Sequence, residues 1–227
     1  MNKKINVYLA IAGASLFWIT ACSAPSTTAP EISKEGMQLT TATRSTIAYQ
    51  KPGVNFSEYN KVKILPSAVA FKKNWERDYN RDHSTLSTRV RDEDVIRIKN
   101  EVATLFDEIF KQEFSKAANI ELVESVSSNT LIMRPAIINL DVHAPDLRSA
   151  SNVRVYAQEA GQATLFIEIY DGVSGEILAR ILNSAVAGDS GYHQWATRVS
   201  NRADASRMIK KWANTLISKY DEVHAVK

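Results

Sequence analysis

The chain reads as an α+β protein: an antiparallel sheet of about five strands with two long helices packed on one face. Three observations lead there. A heptad-like stripe runs through residues 92–118, a second follows 202–222, and between them lie consecutive segments that alternate apolar and polar residues. Strands that follow one another, flanked by separate helices, favour segregated layers over a βαβ array.

The first strand is Lys61-Val62-Lys63-Ile64-Leu65, checked by Pro66. Alternation at every second residue marks a strand with one face buried. Residues 71–87 are dense in charge and read as an excursion, with a short strand near Val69. The helix over 92–118 is the clearest element. Val95, Ile98, Val102, Leu105 and Ile109 step by three and four, and Phe106, Phe110 and Phe114 widen the stripe. Asp92, Glu93 and Asp94 sit where the helix dipole favours negative charge, and Asn119 is read as its left-handed cap.

Leu122 and Val123 read as a short strand, and residues 131–143 as a long one in which Pro135 implies a bulge or an edge. Residues 153–157, 162–170 and 176–185 continue the β pattern, the last two joined by the turn Asp171-Gly172-Val173-Ser174-Gly175. Ala205, Met208, Ile209, Trp212, Leu216 and Tyr220 share one face of the final helix, with Asn201 and Asp204 as its expected cap.

The front of the chain has a different character. Lys3 and Lys4 precede a mostly apolar run over 5–18, and small residues lead to Cys22. The run is shorter than the roughly 20 apolar residues of a membrane span, as in a secretory signal. Cys22 is the only cysteine, so no internal disulfide can form. Ile19-Thr20-Ala21-Cys22 resembles the lipobox of bacterial lipoproteins, which implies diacylglyceryl transfer to the Cys22 thiol and cleavage before it. Ser23, not an acidic residue, follows; by the sorting rule of enteric bacteria this favours the outer membrane, with the protein facing the periplasm. The expected organisation is a signal peptide over 1–21, an acylated cysteine and flexible Ser/Thr/Ala/Pro-rich tether over 22–56, and a single periplasmic domain over 57–227.

Removing 1–21 discards two lysines and no acid, so the net charge falls from +3 to +1. A near-neutral domain lacks the basic footprint of a nucleic-acid binder. His83, His143, His193 and His224 have no paired metal-ligand spacing, and neither a metal nor a cofactor is expected.

Gly188-Asp189-Ser190-Gly191 resembles the nucleophile segment of trypsin-like serine proteases. Tyr192 stands where that family has glycine, no histidine has the family's context, and two long helices contradict a double β-barrel. Asp141 and His143, two apart on a strand, share a face and could form half of an acid–base site. Ser190 with His143 and Asp141 is therefore the alternative, an envelope hydrolase. Alternating polar residues on a solvent face are the commoner meaning. Trp75 and Tyr79 among the charges, and Tyr192 and Trp195 ahead of Arg198 and Arg202, are the residue types that anchor interfaces. They make a non-catalytic binding or adaptor module, with a periplasmic protein or envelope polymer as partner, the primary reading.

Tyr59-Asn60-Lys61-Val62, Glu101-Val102, Met133-Arg134-Pro135-Ala136-Ile137 and the hairpin Asp171 to Glu176 together resemble the lipoprotein family called domain of unknown function 3313. The resemblance covers nearly all of 50–222. It implies a cell location and a fold but no site residues.

Overall fold

The computed structural model describes residues 29–83, 88–143, 145, 155–157, 161–187, 194–196 and 198–225. Among these described residues, ten strands and three α-helices follow in chain order: β1 (Gln38–Ala42), β2 (Thr46–Gln50), β3 (Lys61–Ile64), β4 (Ala68–Phe71), α1 (Trp75–Asp82), α2 (Asp92–Phe114), β5 (Glu121–Leu122), β6 (Thr130–Val142), β7 (Val155–Ala157), β8 (Gly161–Asp171), β9 (Ile177–Ala187), β10 (Gln194–Ala196) and α3 (Arg198–Ala225). Eight strands form one sheet in the order β1-β2-β9-β8-β6-β3-β5, with β4 also on β6, while β7 and β10 pair separately.

The α+β class and the two long helices stand; the sheet differs. It is mixed, because β3 and β4 run parallel to β6, and β3 runs parallel to β5. Parallel neighbours need a long crossover, and α2 lies in the connection from β3 to β6. Alternation tells which residues face the core but not which way the neighbouring strand runs. Pro135 is neither at a sheet edge nor at the bulge. It pairs opposite Ile167 of β8, where the other partner of β6 changes from β3, ending at Met133, to β4, starting at Ala136. A residue without a backbone donor is tolerated at that seam.

The tether reading is corrected from about residue 30 onward. β1 and β2 extend the sheet beyond β9, with Thr46 opposite Asn183 and Gln50 opposite Ala179. Their Thr- and Ala-rich sequence looked like coil because β1 is an exposed edge strand with no core face to fill. Threonine nonetheless suits a pleated surface. Two large side chains do the anchoring: Met37 is 1% exposed and Tyr49 7%.

One face of the sheet holds the main core. Phe106, Phe110 and Phe114 of α2 and Ile209, Trp212 and Ala213 of α3 pack on Leu131, Met133 and Ile137 of β6 and Leu165, Ile167 and Ile169 of β8. The Phe106 and Phe110 rings stack at 4.2 Å. Trp212 Nε1 donates to Asn183 Oδ1 at 2.8 Å, and Asn183 Nδ2 donates to Thr46 Oγ1 at 2.6 Å, so one polar chain ties α3 through β9 to β2. The helix ends differ from expectation. α2 stops at Phe114, and Asn119 instead donates to Asp221 of α3 at 2.9 Å. α3 begins at Arg198, ahead of the expected cap.

The opposite face carries a charge network. Arg180 of β9 reaches Glu168 of β8 at 2.9 Å and Glu35 at 3.0 Å, and lies 5.8 Å from the centre of the Phe166 ring. Tyr49 donates to the Pro30 carbonyl at 3.0 Å. The segment before β1 is thereby strapped across this face. The Arg180 hydrogen bond is the main reason the Glu35 carboxyl lies at about 2, below its ordinary 4.5. A depressed folded value stabilises above the unfolded pKa and is lost as pH falls through the folded one. Glu35 is therefore expected to titrate near 2 by NMR and to move towards 4.5 in Arg180→Met. An unchanged value in that variant would show that Arg180 is not what lowers the Glu35 carboxyl.

Candidate functional site

A cleft of about 380 Å³ opens where the N-terminal halves of α2 and α3 spread over one end of the sheet. Its floor is built by an irregularity. The register of β6 against β8 shifts between Ile138 and Asp141, where Asn139 takes a positive φ of 52°. Such a bulge bends a strand and re-aims its side chains. The bent end presents Leu140 and Val142, and β8 enters at Gly161 with φ 149°. A Cβ there would lie 2.2 Å from the Asp141 carbonyl oxygen, so only glycine admits this approach.

The walls are Val102 and Leu105 of α2 and Ala205, Met208 and Ile209 of α3. Of the α3 residues in this stretch, Ile209 alone is fully buried, whereas farther along Trp212 and Ala213 close onto the sheet. Charged groups at the cleft are paired. Arg97 bridges buried Asp94 at 3.0 Å and exposed Glu101 at 3.2 Å. Lys72 holds Asp141 at 2.8 Å, which raises the lysine pKa through that hydrogen bond. Arg202 reaches Glu108 at 3.4 Å.

Trp75 and Tyr79 are not an exposed aromatic loop. They lie on α1, 5% and 8% exposed, in a second core cluster with Val90 and Ile98. Trp75 stacks on Phe71 at 4.1 Å and its Nε1 donates to the Val142 carbonyl at 3.1 Å. Their spacing of four, with charges between, suits one helical face; the charge density around them hid it. The Asn80 amide pins the chain after α1 by two bonds to Val90, of 2.8 and 2.9 Å. Tyr192 lies outside the described residues, and Trp195 falls on β10.

The hydrolase set is not assembled among the described residues. Asp141 accepts from Lys72 and, at 3.4 Å, from Gln162, and no hydrogen bond joins it to exposed His143. Ser190 and Cys22 lie outside the described residues. Among the described residues, no three His, Cys, Asp or Glu side chains converge as a metal site, and no helix is long and apolar enough to cross a membrane.

The motif residues meet elsewhere, in a structural knot. Tyr59 donates to Asp171 Oδ2 at 2.9 Å. Asp171 Oδ1 accepts from the backbone of Ser174 at 2.6 Å and of Val173 at 3.0 Å, which closes the β8–β9 turn and lowers the aspartate pKa. Burial, then the Asp171 bond, pushes the Tyr59 hydroxyl up to about 12. Tyr220 donates to the Tyr59 carbonyl, and His224 Nε2 lies 3.0 Å from the same oxygen. These residues join the start of β3, the hairpin and the end of α3. Their work is architectural.

The cleft was missed because its residues come from five separated segments. The one local signal was Gly161 beginning a strand.

Fold and site together define an α+β domain with a helix-flanked apolar cleft and no assembled catalytic set among the described residues. The chain belongs to the family described as "Protein of unknown function (DUF3313)", which matches residues 33–216. That match begins inside the stretch read as tether, just ahead of β1. No curated protein matches the chain. Among solved structures, it is similar to the hypothetical protein CT253 from Chlamydia trachomatis at 8% identity and TM-score 0.37, covering 74% of this chain and 99% of that one. It is also similar to XCC0632 from Xanthomonas campestris, of the DUF330 family, at 9% identity and TM-score 0.36, covering 74% and 86%. The PelC dodecamer from Paraburkholderia phytofirmans is similar at 11% identity and TM-score 0.32, covering 72% and 93%.

Proposed function

We propose that this protein is a non-catalytic binding module of the bacterial cell envelope, held on the outer membrane and facing the periplasm by acyl chains on Cys22. It would engage its ligand through the cleft between α2, α3 and the bulged end of the sheet. The cleft is the observation that carries the reading: at about 380 Å³ it is within the size range of ligand sites, and mainly apolar walls with a few polar groups are their usual make-up. The pairing of Asp141 with Lys72 supports binding over acid–base chemistry, because a neutralised carboxylate that does not touch His143 cannot orient it. The apolar run and small residues before Cys22 support the anchor, since two or more acyl chains hold a protein stably on a membrane.

Two experiments test the two halves. Cys22→Ala should abolish fatty-acid labelling and membrane sedimentation; labelling that survives would assign the wrong residue. A photoreactive side chain at Arg202, on the cleft rim, should give adducts in intact cells that are absent when it replaces Val173, 74% exposed on the distant hairpin. Identical adducts from both positions would remove the cleft from the function.

A further inference from the structure

We infer that the cleft binds one unbranched acyl chain of a zwitterionic, single-chain amphiphile, an inference that rests on the binding-module reading and names its ligand class. Three features lead there. The first is the chemistry of the walls. Val102, Leu105, Leu140, Ala205, Met208 and Ile209 face the space from helix and sheet and offer no side-chain hydrogen-bonding group. A peptide or glycan entering between them would leave donors and acceptors unpaired, which is costly, whereas a hydrocarbon would not.

The second is size. At about 30 Å³ for each water-sized group, 380 Å³ holds roughly a dozen, matching the methylenes of a medium acyl chain. The Asn139 bulge and the Gly161 approach set the floor, and the small side chain of Ala205 leaves the gap between the helices open.

The third is the rim. Glu101 and Arg202, 52% and 58% exposed, line the cleft with opposite sign, each already paired, to Arg97 and Glu108, and Asp141 lines its sheet end paired with Lys72. A head group of one sign finds no uncompensated counter-charge among these couples, while a head group carrying both signs can align with both members of a couple. Complementary charge of this kind selects partners more than it strengthens binding.

Residues 23–227 contain every residue of the described fold and lack the acylated cysteine, so they can be studied without detergent. Dodecylphosphocholine, titrated below its micelle threshold and followed by calorimetry and NMR, is expected to bind saturably at one per chain. Butylphosphocholine, with the same head group and a short tail, should bind at least tenfold more weakly. Dodecanoate and dodecyltrimethylammonium should each bind more weakly than the zwitterion. Ala205→Trp, and separately Val102→Trp, should fill the space and weaken binding at least tenfold with unchanged circular dichroism.

Absence of saturable binding, or binding indifferent to both tryptophan variants, overturns the inference. Stronger binding of either singly charged probe overturns its head-group half. The outcomes separate from those of the broader reading. If no amphiphile binds but Arg202 adducts still form in cells, the ligand class is wrong and the module stands. If both fail, the cleft is not a binding site.

Discussion

Phe106→Ala is expected to destabilise the protein by about 3–5 kcal/mol, the range for removing a large aromatic side chain from a packed core. Phe106 is 0% exposed and stacks on Phe110, which is also 0% exposed and stacks in turn on Phe114 at 5.4 Å. Around them α2, α3 and strands β6 and β8 meet in a single cluster. Truncation removes transfer free energy and leaves a void that rigid elements on every side cannot fill. For a chain of this size each kcal/mol lowers the melting temperature by roughly 2–4 °C. Thermal unfolding followed by circular dichroism should therefore show a fall of roughly 6–20 °C. Val173→Ala, at an exposed hairpin tip, should stay within about 0.5 kcal/mol. Equal small effects at both positions would mean that the core is not centred on α2.

Gly161→Ala is expected to cost about 2–6 kcal/mol, the sum of roughly 1–3 for an L residue in a glycine conformation and roughly 1–3 for overpacking. The added methyl carbon would meet the Asp141 carbonyl oxygen at 2.2 Å, and backbone cannot swing aside as a flexible side chain can. Gly175 makes the control. Its φ of 70° is also positive, but nothing lies within 4 Å of the site of a new Cβ, so Gly175→Ala should cost only about 1–2 kcal/mol. Denaturant titration of the two variants measures the difference. Because Gly161 lines the cleft, its variant should also lose ligand affinity at temperatures where it remains folded. Comparable stability in both variants would show that β8 can move away from the bulge, and the cleft floor would then not be rigid.

These two positions differ in how visible they are beforehand. Phe106, Phe110 and Phe114 announce their burial by spacing alone, because helix geometry brings every fourth side chain to one face whatever the helix later packs against. Leu165, Ile167 and Ile169 do so by alternation. Gly161 is an ordinary glycine until Asp141 is seen beside it. Trp75 and Tyr79 were recognised as important residue types but placed on a surface, since charges around an aromatic pair do not say whether a second layer covers it. Phe71, Val90 and Ile98, which cover it, come from three other segments.

What the sequence determined by itself is what depends on neighbours along the chain: the two long helices, the alternating strands, the turn closed by Asp171, and the chemistry available to a lone cysteine. The tertiary structure alone decided strand order and direction, the recruitment of β1 and β2 from a stretch that reads as coil, and the cleft. The reason is physical. Periodicity records which side of an element meets apolar surroundings, and that follows from local geometry. Register, the Asn139 bulge and the gap between α2 and α3 depend on contacts between residues far apart in the chain, whose free energies appear only once the segments are packed together.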